Sequence, residues 1–255
     1  MRQQLLPVAR RLSLRVGRLF SPLLFYKKVE VFHLLPPRPD PLLLIANHFS
    51  WFDPPILSLQ LPTPPIFLVA TEAHERRWVA LFLRLFDSIP IWRGQVDRTA
   101  LRRAVEALQQ GKTIGIFPEG GINPELAEQV ARGEVIPELR GNAGRQSAQL
   151  VRARAGVALL AVMSNVRILP VGLLGTERIL DNLPRGRRSR VTMRIGPAFG
   201  PLHIDPALSG QARRRQLDAL ADQMMGQIAA LLPPENRGYY RTDGSEAGSS
   251  FSSSG

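Results

Sequence analysis

Five short apolar runs and one alternating segment, 191–195, separated by stretches of helical character, constrain this chain more than any other feature of its sequence. They lie at 42–46, 66–70, 89–92, 113–117, 168–173 and 191–195. Each has the length of a buried strand. Between and after them, helices are predicted over 72–86, 97–110, 151–162 and 211–232. Asp97 stands where an N-cap belongs, Gly111 where a helix stops, and Pro233-Pro234 closes the last helix. Strands alternating with helices predict a single α/β domain with a central, largely parallel or mixed sheet flanked by helices. Segment 124–150 is polar and poorly patterned, an apparent insertion with some helix. The Ser/Gly-rich end, 241–255, predicts a disordered tail.

Residues 1–26 read as an amphipathic helix. Leu5, Val8, Leu12, Val16, Leu19, Phe20, Leu23 and Leu24 fall on one broad face. Arg10, Arg11, Arg15 and Arg18 fall on the other, with Leu14 out of place among them and Pro22 set to bend or end the helix. The apolar face packs either on the protein's own core or on a lipid interface. The arginines argue against a cleavable signal peptide. No apolar run reaches the ~18 residues of a membrane span.

Hydrophobic residues make up 44% and charged residues 21%, so a wholly disordered chain or a coiled coil is excluded. The net charge of +12 draws anions: phosphorylated metabolites, nucleic acid or an anionic bilayer. No zinc finger, RNP-type motif or basic recognition helix accompanies that charge, which speaks against nucleic acid. There is no cysteine, which removes disulfides and thiolate chemistry, and the four histidines are scattered, so no metal site is expected. Gly111-Lys112-Thr113 lacks the upstream glycine of a phosphate-binding loop, because position 106 is Glu106.

Two constellations carry chemistry. Asn47-His48-Phe49-Ser50-Trp51-Phe52-Asp53-Pro54 follows the first strand directly. On one continuous helix, His48 and Asp53 would diverge by 140°. A strand-to-helix turn, with Asp53 as N-cap and Pro54 at N1, brings them together. A carboxylate on an imidazole fixes its tautomer and makes it a general base; otherwise it caps a structural histidine. Phe117-Pro118-Glu119-Gly120 likewise follows an apolar strand, and its glycine permits close backbone approach to a ligand. Ser50 lacks the GxSxG elbow of an acylated nucleophile.

With both in place, the chain resembles the glycerolipid acyltransferases, the 1-acyl-glycerol-3-phosphate acyltransferases and their relatives. NHxxxxD stands as Asn47, His48 and Asp53, and FPEG as Phe117 to Gly120, 71 residues on from His48 to Glu119. Ile89-Pro90-Ile91-Trp92-Arg93-Gly94 resembles the family's second motif, and Ile168-Leu169-Pro170-Val171-Gly172 its fourth. Three departures stand out. Gly121-Ile122-Asn123 replaces the usual Thr-Arg-Ser, Thr71 stands where a lysine is common, and the basic residue before glycine comes late, as Arg154-Ala155-Gly156.

The resemblance implies acyl transfer from acyl-CoA or acyl-carrier protein to a hydroxyl of 1-acyl-glycerol-3-phosphate, with no cofactor. It implies that His48 is the base and Asp53 its orienting carboxylate. Asn47, Arg93, Phe117, Pro118, Glu119, Gly120, Arg154 and Pro170 are then substrate-binding: Arg93 on the phosphate, Glu119 on a glycerol oxygen, Pro170 shaping the pocket. The expected organisation is a membrane-interface helix at 1–26 and an acyltransferase domain at 27–240. The expected place is the cytoplasmic face of the bacterial membrane, bound peripherally or monotopically. Another lyso-lipid or glycolipid acceptor, or a non-catalytic lipid-binding role, are the alternatives.

Overall fold

The structure, a computed structural model, describes residues 2–31, 41–70, 87–92, 97–122, 145 and 147–241. The expected helix at 72–86, Arg93, most of the 124–150 insertion and the tail beyond 241 lie outside the described residues. Seven strands form one sheet in the order β1-β7-β6-β2-β5-β3-β4. They are β1 (Phe25–Val31), β2 (Leu42–Ala46), β3 (Ile66–Ala70), β4 (Ser88–Ile91), β5 (Ile114–Ile116), β6 (Arg167–Leu174) and β7 (Ser189–Ile195). Every pairing is parallel except β6 with β7. The sheet is thus mixed and mostly parallel, as the alternation predicts.

Helices cover both faces, which is why the central strands read as continuous apolar runs rather than alternating ones. On one face α3 (Arg98–Gln109), α4 (Ala155–Ser164) and α6 (Gly210–Ala230) pack on Leu43, Ile45, Ile114 and Ile168. On the other, α2 (Asp53–Gln60) and the short α5 (Ile179–Asn182) pack on Leu44, Ala46, Phe67, Val171 and Leu173. Asp97 caps α3, its side chain accepting from the Ala100 amide at 2.9 Å. That bond holds its carboxyl below the usual range.

Two elements differ from expectation. The N-terminal helix α1 spans Arg2–Leu24, and Phe25 already begins β1. β1 is an edge strand in which only Phe25 is buried, so its sequence lacks the apolar alternation of a strand. Helix α4 begins at Ala155 rather than at 151. Residues 148–153 instead bond the C-terminal segment: Leu150 N–H donates to Asn236 O, Tyr239 N–H to Leu150 O, and Ala153 N–H to the Tyr240 hydroxyl.

Helix α1 is docked by its polar side. Leu14 and Ser21 are buried, and Arg18 donates to the carbonyls of Leu59 and Leu61 at the end of α2. Arg10 reaches Asp87 and Pro64 O. The misplaced Leu14 is therefore the residue that anchors the helix. Pro22 cannot donate to Arg18 O, and the Ser21 hydroxyl does so instead, at 3.1 Å, so the helix continues to Leu24. The apolar stripe points away from the protein: Leu12, Val16, Leu19, Phe20 and Leu23 are all exposed.

Candidate active site

The two constellations meet because β2 and β5 are adjacent and parallel. Leu43 pairs with Ile114, Leu44 with Gly115 and Ile45 with Ile116, a constant offset of 71 positions. Carried three residues past the last of these pairs, the same offset sets His48 against Glu119. The His48 N–H donates to Glu119 Oε1 at 2.8 Å. The strand register thus accounts for the motif spacing, and the site lies at the carboxyl ends of the strands, where α/β sheets place ligands.

Asp53 organises the turn. Its Oδ2 accepts from His48 Nδ1 at 2.9 Å and from the amides of Phe49 and Ser50, each at 2.8 Å. It is the first residue of α2, with Phe52 as N-cap and Pro54 at the second position. This corrects the expected cap by one residue. The carboxylate turns back onto the preceding loop instead of capping the helix amides. With Nδ1 donating to a carboxylate, Nε2 is the basic nitrogen of the imidazole. The ring stacks on Phe117 at 4.0 Å between centroids and 16° between planes, and Phe117 stacks on Phe67 at 5.5 Å. His48 keeps 12% of its side chain accessible, whereas Asp53 is fully buried. The arrangement is a fixed, partly accessible imidazole backed by a buried carboxylate, which suits proton abstraction from a hydroxyl.

Glu119 sits differently from its expected role on a substrate oxygen. It is fully buried, and both of its oxygens are occupied. Oε1 holds the His48 amide, while Oε2 accepts from Arg145 Nη1 and from Val151 N–H. Burial lifts its carboxyl from 4.5 to about 7, with Arg145 pulling the other way. Asn47 is also corrected. Its amide donates to Leu173 O at 2.8 Å and accepts from Leu173 N–H at 2.7 Å, so it pins the end of β2 to β6 and is fully buried. Pro170 does not line the site. It alternates with Ile168 and Leu174 on the α6 face and packs against Gly196, whereas Phe117 belongs to the opposite face.

Other expected residues do gather here. Pro118 O accepts from the Arg154 amide at 2.9 Å. The exposed Arg154 side chain runs past Gly120: a Cβ added there would lie 3.1 Å from Arg154 Cγ. Gly120 also has φ +81°, which favours glycine. Arg93 lies outside the described residues; its neighbour Trp92 follows β4 at the same, carboxyl, end of the sheet.

The acyltransferase family profile matches residues 30–174, more than half of the chain. The chain belongs to the acyltransferase family. It is 28% identical over 183 residues to the lyso-ornithine lipid O-acyltransferase of Pseudomonas aeruginosa, covering 69% of this chain and 66% of that one. It is 24% identical over 164 residues to the 1-acyl-sn-glycerol-3-phosphate acyltransferase of Streptococcus pneumoniae, covering 64% and 51%. The Bacillus subtilis enzyme of the same name matches over 85 residues, 43% of its length. The chain spans about half the length of such relatives. Its fold is similar to that of the 1-acyl-sn-glycerophosphate acyltransferase of Thermotoga maritima, with TM-score 0.50, 21% identity and coverage of 88% and 80%.

Within this family member, Arg145 is the residue that sequence reasoning missed. The expected arginine is absent directly after Gly120, yet Arg145 arrives beside Glu119 from the far end of the insertion. Its guanidinium also donates to the carbonyls of Gly121, Ile122 and Gln149, and its amide donates to Phe49 O. It is buried and lies 5.6 Å from the Phe49 ring centroid. Nothing in the polar segment around it marks this residue, which stands 26 positions from Glu119.

Proposed function

We propose that the chain transfers a fatty acyl group from an acyl-CoA or acyl-carrier-protein thioester to a hydroxyl of 1-acyl-glycerol-3-phosphate, giving phosphatidic acid. The observation that carries this is the His48–Asp53 pair at 2.9 Å, held at the end of the sheet by Glu119. His48 Nε2 takes the acceptor's hydroxyl proton as the oxygen attacks the thioester carbonyl. Asp53 stabilises the imidazolium that forms. The tetrahedral intermediate collapses to the ester, the C–S bond breaks, and the imidazolium returns its proton to the departing thiolate. Base catalysis of this kind contributes roughly 10²–10⁴-fold. Glu119 positions the base rather than the acceptor, and Arg154 and Arg93 are the cations offered to the phosphate.

The acceptor carries an acyl chain, and the exposed stripe of α1 suits a bilayer interface on which to meet it. We therefore place the protein peripherally on the cytoplasmic face of a bacterial membrane. Among the described residues, no helix is long and apolar enough to cross a membrane. A lyso-ornithine lipid acceptor is the second reading, favoured by the extent of the match to the Pseudomonas aeruginosa protein.

The test is a panel of lyso-lipids with a thioester donor, read by free thiol and product mass, for wild type and His48→Ala. Acylation of lysophosphatidic acid that His48→Ala abolishes supports the reading. Transfer confined to lyso-ornithine lipid moves it to the second acceptor, and transfer undiminished in His48→Ala removes the assigned base.

A further inference from the structure

The connection from β6 to β7 leaves the sheet at the same end as His48, since β6 pairs in parallel with β2 and Asn47 is bonded to Leu173. Instead of a tight hairpin, it forms a small platform. Ile179 is buried and anchors α5, and Asn182 closes the base by donating to Ser189 Oγ at 2.9 Å and accepting from Arg187 N–H at 3.0 Å. Gly175 starts the excursion at φ +83°. A Cβ there would stand 1.9 Å from Arg190 O, so the backbone is closed tightly at its root.

What this fixed platform presents is unusual for a water-facing turn. Leu180 and Leu183, three positions apart and so on one side of the turn, are 41% and 45% exposed. Around them, residues 178–190 hold five arginines (178, 185, 187, 188, 190) against one aspartate, Asp181. All five arginines are exposed. The named bonds of Arg185 and Arg188 go to neutral oxygens: Arg185 to Asp181 O, Arg188 to Pro22 O and the Tyr26 hydroxyl. Arg188 also lies 3.9 Å over the Tyr26 ring. The platform is therefore tied to the end of α1, beside the apolar stripe that ends at Leu23 and Leu24.

Single exposed leucines need no explanation, but a rigid leucine pair in an arginine rim adjoining an apolar helix face does. We propose that the β6–β7 platform is a second lipid-facing element, with Leu180 and Leu183 entering the interface and Arg185 and Arg187 binding anionic headgroups. This deepens the membrane reading above and rests on it. Two contacts on either side of the junction between α1 and β1 fix the tilt of the protein and hold the His48 end of the sheet against the bilayer, which α1 alone would leave free to roll.

The full chain is tested by co-sedimentation with phosphatidylcholine vesicles, with and without phosphatidylglycerol. Arg185→Gln/Arg187→Gln is expected to weaken binding to anionic vesicles about 30-fold, from about 1 kcal/mol per cation, and to leave acylation of a short-chain, water-soluble lyso-acceptor unchanged. Because the chain has no cysteine, Leu183→Cys carries an environment-sensitive fluorophore at one place. Its emission is expected to shift to the blue on adding anionic vesicles, while the same probe at Gln211→Cys, at the start of α6, stays unshifted. Wild-type binding retained by the arginine variant, no shift at position 183, or equal shifts at both positions overturns the proposal. These readouts need no turnover on lipid, so failure of the acyl-transfer reading appears separately, as an inactive wild type that still binds vesicles through this platform.

Discussion

Removing Arg145 tests whether Glu119 is a frame for the His48 turn. In Arg145→Met the guanidinium's bonds to Glu119 and to the carbonyls of Gly121, Ile122 and Gln149 are lost together. Breaking a buried pair by deleting one partner costs roughly 3–5 kcal/mol. Here the carboxyl can escape part of that cost by keeping its proton, because burial already raises it to about 7. Without Arg145 it titrates higher still. Well above pH 7 the wild-type carboxyl is ionised, folded or unfolded, so it adds no slope to stability there. In the variant the folded state keeps a proton that the unfolded chain has released, so stability falls as pH rises, by up to about 1.4 kcal/mol per pH unit. Urea denaturation of both proteins from about pH 6 to about pH 9 should therefore show a deficit that widens above 7. Loss of the frame also loosens His48, so kcat should fall on the order of 10²-fold, the cost of about 1 Å of misplacement, with little change in KM. A deficit that stays flat across that pH range would refute the charge coupling, and an unchanged kcat would refute the positioning.

Asp53→Asn replaces an acceptor of three hydrogen bonds, so acyl transfer should drop on the order of 10²–10⁴-fold and thermal stability should fall with it; full activity in a steady-state assay would contradict the pairing. Asn47→Ala strips both bonds from Leu173 and should cost about 2–4 kcal/mol in denaturant titration without raising KM for either substrate. Gly175→Ala meets Arg190 O at 1.9 Å and should give little folded protein in a soluble-expression and circular-dichroism comparison. Arg154→Gln should raise KM for a phosphorylated acceptor about tenfold, as loss of one charge-assisted contact of about 1.5 kcal/mol would, while leaving KM for a phosphate-free acceptor unchanged.

What sequence made legible follows from what burial demands of it. Strands β2, β3 and β6 are covered on both faces, and their unbroken apolar runs announce them. β1 is an exposed edge, held by Arg188 on Tyr26 and by Glu30, whose contacts with Lys28 and Arg194 hold its carboxyl low, so nothing apolar marks it. In α1 the pattern showed an apolar side and an arginine side, but not which faces inward. The answer depends on Arg18 finding unpaired carbonyls at the end of α2, a tertiary fact. In the site, the pairing of His48 with Asp53 was readable from a turn that proline and strand position imply. The roles of Asn47, Glu119 and Pro170 were not. Each is a matter of what lies across the sheet: Leu173, Arg145 and Gly196 stand 126, 26 and 26 positions away.

Those reassignments separate reaction from selectivity. In the His48 turn, the Asn47 amide and Oδ2 of Asp53 are spent on protein groups, and in the second motif both oxygens of Glu119 are spent likewise. His48 keeps part of its side chain accessible at the end of the sheet, and Arg154 beside Gly120 is a nearby exposed cation. Under the proposed reaction, the motifs thus supply one oriented base backed by buried groups. Such a base can serve any hydroxyl presented with the right geometry. Under the proposed reaction, choice of headgroup falls to residues around that base, among which the exposed Arg154 lies beside Gly120. The relatives' names differ in the same respect, one a 1-acyl-sn-glycerol-3-phosphate acyltransferase and the other a lyso-ornithine lipid O-acyltransferase.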